Sequence, residues 1–196
     1  MNIVAVLLAA GAATRFGSDK LLHALPHGVP IAIQAARHLR AVFEKNVFVV
    51  IRPEAEALSE LLRREGCEVL LCERAAEGMG ASLACAVRAA NAARAADGYV
   101  IALADMPFVR PSSIAAVRDA LAAGATFAAP YFRARRGHPV GIAGSLRAQL
   151  ENLAGDEGAK SLLAGGGDKL IKIPVGDPGV IRDIDTPGDL APPIVV

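Results

Sequence analysis

The chain has 196 residues and a formal net charge of +1. That length suits one domain with a sizeable core, and that charge argues against an electrostatic partner such as duplex DNA. Hydrophobic residues make up 53% and aromatic residues 4%, so the core must be built from Ala, Val, Leu and Ile. Cys67, Cys72 and Cys85 are odd in number and lack metal-ligand spacing, which reads as free or buried thiols of a reducing compartment.

The first element is an apolar strand over residues 3–8 (IVAVLL). It lacks the basic leader of a signal peptide, and charges arrive at Arg15 and Lys20. No stretch approaches an uncharged run of ~18 residues, so a cytoplasmic protein without a membrane span is expected. After the strand come Ala9, Ala10 and Gly11, then Arg15 and Lys20. Small residues allow close backbone approach and leave N–H groups to cradle an anion, while Arg and Lys make charge-assisted bonds to phosphate. The loop reads as a nucleotide-triphosphate grip, or else as a strand-to-helix turn whose charges are merely solvated. Gly11 and Gly17 do not have the Walker spacing to Lys20, and no third Gly completes a dinucleotide fingerprint.

Downstream, the pattern predicts helices over 30–43, 54–65, 80–96 and 111–123 and strands over 46–51, 67–72, 98–103, 125–129 and 169–173. Shorter helices fall near 145–153 and 157–164. Near-continuous apolar strands separated by helices imply a mainly parallel α/β sheet covered on both faces. Beyond Tyr131, Gly and Pro clusters suggest a late antiparallel strand or a small irregular insertion, all within a single domain over 1–196.

In open parallel sheets ligands collect beyond the carboxyl ends of the strands. Three chemical-looking clusters fall there: Gly11 with Arg15 and Lys20, the segment Glu73 to Ser82, and Asp105-Met106-Pro107. Asp105 ends a strand of near-total apolarity, a position suited to holding Mg²⁺ through oxygen, and also to forming a turn. In Asp183-Ile184-Asp185-Thr186-Pro187-Gly188-Asp189, Thr186, Pro187 and Asp189 have the spacing of a helix cap. Asp183 and Asp185 share one face of extended chain while Ile184 turns to the core, and Asp185, nearest the cap, is the expected second metal ligand.

Gly78-Met79-Gly80-Ala81-Ser82 opens a helix. Ser82 could bond a nucleobase or sugar there, and a Gly-rich turn with an ordinary cap reads equally well. Arg133, Arg135, Arg136 and His138 form a short basic run; an anionic small molecule fits it better than nucleic acid, and a solvated loop remains open. His138, between Gly137 and Pro139, is the member expected to face inward. His23 and His27 lack a third ligand, and Pro26 and Gly28 oppose the helix that would align them for zinc. Asp156 reads as a helix cap, with a substrate contact as the sharper alternative.

The opening LAAGAATRFGSDK resembles the LAAG-x-S-x-R-[FM]-G-x-x-K loop of the molybdenum cofactor nucleotidyltransferases. GMGASL, ADMP, RGHPV, GDEGAK and DIDTPGDL follow in that family's order across nearly the whole chain. The resemblance implies a Rossmann-like three-layer α/β/α nucleotidyltransferase fold. Leu8-Ala9-Ala10-Gly11 and Asp183-Ile184-Asp185 lean toward the molybdopterin cytidylyltransferases, since guanylyltransferases tend to read LAGG and Asn-x-Asn there. It implies transfer of CMP from CTP to the phosphate of molybdopterin, with release of pyrophosphate, and possible delivery to a molybdoenzyme client. By the same resemblance Arg15, Lys20 and Asp105 are catalytic, and Asp105 and Asp185 hold Mg²⁺. Leu8, Ala9, Ala10, Gly11, Arg15, Lys20, Gly78, Ser82 and Ala104 would bind the nucleotide, and His138, Pro139 and Asp156 the acceptor. Ala13 departs from the family's frequent Ser, and His23-Ala24 from its more usual Leu and Pro. GTP, another phosphorylated acceptor, a non-catalytic cofactor chaperone and a redox relative are the competing readings.

Overall fold

A computed structural model describes residues 1–11, 20–156 and 158–191. The strands are β1 (Ile3–Leu8), β2 (Val47–Ile51), β3 (Glu68–Leu71), β4 (Gly98–Leu103), β5 (Phe127–Phe132), β6 (Arg135–Arg136), β7 (Val140–Ala143) and β8 (Leu170–Pro174). The helices are α1 (Ile31–Phe43), α2 (Glu56–Arg64), α3 (Met79–Arg94), α4 (Pro111–Ala122), α5 (Arg147–Glu151) and α6 (Lys160–Gly165). Each strand and helix expected from the pattern is present, with ends displaced by a few residues. No helix among the described residues is long and apolar enough to cross a membrane.

The sheet runs β3-β2-β1-β4-β7-β5, with β6 and β8 also paired to β5. β1 pairs in parallel with both β2 and β4, β2 with β3, and β5 with β8. The irregular stretch beyond Tyr131 contains the antiparallel part: β7 lies between β4 and β5, and β6 pairs with the end of β5. It is a pair of short strands within the sheet, not a separate lobe.

Period-two alternation divides the core into two layers. Ile3, Ala5 and Leu7 of β1 pack with α1, α2 and α4 on one face. Val4, Val6 and Leu8 pack with α3, α5 and α6 on the other. Every β1 residue is buried, which is why its sequence is a continuous apolar run without a polar face. The Ala-rich face of α3 supplies Ala86 and Ala90, both 0% exposed. Small side chains there replace the aromatic volume the composition lacks.

The segment after β8 returns across the sheet edge and is fastened by one buried carboxylate. Asp177, 3% exposed, accepts hydrogen bonds from Arg110 N at 2.8 Å, Ser113 Oγ at 2.7 Å and Gly179 N at 3.0 Å. It thus supplies the N-terminus of α4, which lacks a side-chain cap of its own, with an acceptor from far along the chain. Gly179 is required beside it, because a Cβ there would lie 2.1 Å from the Phe108 carbonyl oxygen. Further along, the Val180 carbonyl accepts from His138 N at 2.8 Å.

The His138 ring packs into the core beyond this contact. Its Nδ1 is buried and has no hydrogen-bond partner among the described residues. Burial, reinforced by the charge of Arg136, pushes its pKa down to about 4. His38, on α1, is shifted down by burial as well.

Two stability measurements follow from these contacts. Asp177→Ala should cost roughly 3 kcal/mol in urea unfolding, because charged hydrogen bonds are lost and buried donors stay unpaired; Asp177→Asn should cost less. The neutral His138 ring makes stability fall as pH drops from 6.5 toward about 4. In that window the unfolded chain binds a proton that the folded ring does not. His138→Gln should flatten that part of the stability–pH curve, and an unchanged curve would show that the ring is not the group responsible.

Candidate active site

β1 and β4 are paired in register up to Leu8 and Leu103, and the pairing continues past both ends. Ala104 N donates to the Leu8 carbonyl at 3.0 Å, and Ala9 N to the Val50 carbonyl at 2.9 Å. The loops after β1, β2 and β4 therefore leave the sheet side by side. They form one wall of a cleft of about 450 Å³. Leu8, Ala9, Ala10 and Gly11 lie along it, and so do Lys20, Gly78, Ser82, Asp105, Asp156 and Asp185. Gly11 is exposed and a Cβ added there would meet nothing within 4 Å among the described residues, so this face of the loop offers room for a ligand.

Lys20 begins a short 3-10 turn, Lys20–Leu22, anchored by the buried Leu21. Its ammonium sits between two carboxylates, 2.9 Å from Asp105 Oδ2 and 3.3 Å from Asp185 Oδ1. Burial alone would lower the Lys20 pKa, but hydrogen bonding to Asp105 and the charges of both carboxylates raise it above the usual lysine value. Asp105 shifts upward as well, because burial outweighs the opposing bond from Lys20 and the Asp183 charge adds to it. The asymmetry has a physical cause: the ammonium has two anionic partners, whereas the more deeply set Asp105 has one cation. Lys20 is a fixed positive charge across the neutral range.

The two carboxylates come from distant parts of the sequence and are tied together by the backbone. Ile184 N donates to the Asp105 carbonyl at 2.9 Å, and Ile184 itself is fully buried. The cap after it forms as the spacing implied: Thr186 N and Thr186 Oγ1 each donate to Asp189 Oδ2 at 2.8 Å. Asp185 N donates to the same oxygen at 3.3 Å. The Asp189 carboxyl is held below its usual range, chiefly by the Thr186 bonds. Asp185, and not Asp183, completes the contact with Lys20.

The opposite wall is built on the glycines before and within α3. Gly78 has φ of 118°, and a Cβ there would lie 2.5 Å from both Asp156 Oδ1 and the Gly155 carbonyl. At Gly80 a Cβ would lie 2.6 Å from the Ala154 carbonyl oxygen, and Gly80 N donates to the Gly155 carbonyl at 2.7 Å. The turn carrying Asp156 is seated on these glycines, which aligns its carboxylate with the cleft. Ser82 Oγ donates to the Gly78 carbonyl at 3.3 Å, so the hydroxyl brings lone pairs to the cleft while its hydrogen is engaged.

Other expectations fall elsewhere. Arg15 lies outside the described residues. Ala104 is buried, with its N–H bonded to Leu8, so the structure does not present it to a ligand. His138 and Pro139 do not line the cleft; they border a small core cavity shared with His38 and Met106. The reason is the crossing of the chain at Val180, which pulls His138 behind β4. Arg133, Arg135 and Arg136 are exposed around β6, also outside the cleft. Conversely, Arg52 lines it, a residue absent from the sequence reading. Applied to the strand over 46–51, the rule of strand carboxyl ends would have found it.

The geometry is a cleft at the carboxyl edge of a parallel sheet, with a partly buried cation between two acidic groups at one end and a glycine-built wall carrying small residues and Asp156 at the other. A family model described as the MobA-like NTP transferase domain matches residues 5–170. The chain is 31% identical over 195 residues to the purine catabolism protein PucB of Bacillus subtilis (strain 168), covering 94% of this chain and 92% of that protein. Rv0371c of Mycobacterium tuberculosis, solved as a complex with manganese, superposes with a TM-score of 0.77 at 24% identity over 96% of each chain. The Rv0371c homolog from Mycobacterium sp. strain JC1 superposes with a TM-score of 0.77 at 27% identity, over 95% of this chain and 92% of that one. The chain belongs to the MobA-like NTP transferase family and is a nucleotidyltransferase.

Proposed function

We propose that this nucleotidyltransferase transfers CMP from CTP to the phosphate of a molybdopterin-type acceptor. The observation that carries a transfer site is the convergence of Lys20, Asp105 and Asp185 at one end of the open Gly11 cleft. The choice of CTP and of molybdopterin is supported by the LAAG and Asp-Ile-Asp sequences. In the reaction an acceptor phosphate oxygen bonds to the α-phosphorus of CTP, the α–β anhydride bond breaks, and pyrophosphate leaves.

The acceptor needs no general base, since a phosphate monoester has its second pKa near ~6 and is mostly ionised at neutral pH. The obstacle is electrostatic, the approach of two polyanions. Lys20 uses two of its three N–H donors on Asp105 and Asp185 and has a third for a triphosphate oxygen. Arg15, in the same loop, would add a second cation. Hard oxygen donors that already converge on a cation fit Mg²⁺, which takes one or two carboxylates from a protein and the rest from water and phosphate. Asp105 and Asp185 would hold it, and when bound it supplies charge neutralisation at the phosphates. Asp156, across the cleft on its glycine seat, would orient the bound substrate.

Pyrophosphate release measured with each of the four NTPs, with and without molybdopterin, should occur with CTP and require the acceptor. Activity only with GTP overturns the base, activity only with sugar phosphates overturns the acceptor, and tight binding without any release refutes the transfer reaction. Lys20→Ala and Asp105→Ala should each reduce release by ~10²–10³ with the thermal unfolding midpoint retained. Wild-type turnover in either would refute the assignment. A chelator should abolish release, and added Mg²⁺ should restore it.

A further inference from the structure

Arg52 is the first residue after the fully buried β2, and one of the five N–H donors of its guanidinium is already committed. Its Nε donates to the Ala10 carbonyl at 2.7 Å, which locks the planar group against the loop that follows β1. Among the described residues the remaining contact is a loose one, 4.0 Å from Nη1 to the exposed Glu54. The side chain is 32% exposed and lines the cleft, so its outer N–H edge is held in a fixed direction and is open to a ligand.

Position across the sheet says which part of a nucleotide meets it. Asp105 follows β4, Lys20 follows β1, Arg52 follows β2 and Gly78 follows β3, in the spatial order of the strands. Neighbouring strands lie ~4.8 Å apart, so a guanidinium that follows β2 and is bonded to the loop after β1 stands one to two spacings, roughly 5–10 Å, along the edge from the acidic end. That separation is about what a sugar places between a phosphate and a base. Beyond Arg52 the lining carries Ala75, Ala76 and the half-exposed Met79, surfaces suited to the face of a flat ring, with Ser82 and Asp156 beside them at the Gly78 wall.

We infer that Arg52 reads the base: with Nε fixed on Ala10, its outer edge donates a pair of hydrogen bonds to a base with two adjacent acceptors. Cytosine offers N3 and O2 in that arrangement. Uracil presents an N3–H donor at the same place, which would leave one arginine donor facing another donor. Guanine offers an equivalent pair in O6 and N7, whereas adenine sets a donor beside N7. The inference rests on the nucleotide orientation of the proposed transfer reaction but not on which of the two bases is used.

The test is calorimetric binding of CTP, UTP, GTP and ATP to the wild-type protein, Arg52→Lys and Arg52→Gln, with Mg²⁺ present. For a CTP enzyme, the wild type should prefer CTP over UTP, and Arg52→Lys should shrink that preference by roughly 5- to 150-fold with UTP affinity little changed. Arg52→Gln gives the same comparison if the lysine variant does not fold. Equal weakening of all four nucleotides would overturn the inference, because it would mark Arg52 as a phosphate contact or a support for the Ala10 loop alone. Unchanged binding would overturn it too. A wild type selecting GTP would remove the CTP assignment, and a collapse of its GTP-over-ATP preference in the variants would still uphold Arg52 as the base reader. A wild type that binds none of the four ends both.

Discussion

The site depends on the in-register parallel pairing of β1 with β4 and β2. Parallel neighbours must release their following loops at the same edge, a strand spacing apart. The bonds from Ala104 to Leu8 and from Ala9 to Val50 carry that alignment past the strand ends. Gly11, Arg52 and Asp105 therefore arrive beside one another without any direct bond between their side chains being needed to gather them. A chain with the same loops on antiparallel strands would scatter these groups to both ends of the sheet.

On that edge the chain places its charges unequally. Lys20 is held between two carboxylates at the β4 side, while the β3 side offers small residues, a thioether and the single carboxylate of Asp156. The charged end keeps its cation and acids paired, so neither is left as an isolated buried ion. The glycines at 78 and 80 make the opposite wall possible by letting the turn at Ala154 to Asp156 come to backbone contact. Substrate-facing chemistry and packing are thus the same contacts: the residues that admit the turn also set the direction of Asp156.

The late antiparallel segment has a structural role that its sequence concealed. β7 extends the sheet beyond β4, and the return of the chain through Asp177, Val180 and Ile184 crosses beneath the Asp105 loop. Each of these residues is fixed by the core, yet together they deliver Asp185 to the cleft. Rv0371c superposes over 96% of each chain, so the fold that carries this edge is shared along nearly the whole length.

Sequence by itself determined the helices and every strand but the short β6 and β7, because apolar runs and caps are local signals: the Thr186–Asp189 cap and the burial of Ile184 follow from residues adjacent in the chain. It also determined that Asp105 and the Gly11 loop share an edge, since the rule for strand ends needs only element order. Tertiary structure decided the rest. Asp185 meets Lys20 through a backbone bond between Ile184 and Asp105, a pairing across 79 positions that no local pattern encodes. His138 reads as a substrate contact beside its basic neighbours, but the bond to Val180 draws it into the core. Arg52 carried no motif signal in the sequence; its bond to Ala10 is what turns it along the cleft. Which way a side chain points at a loop is set by the partner it finds, and those partners come from elsewhere in the chain.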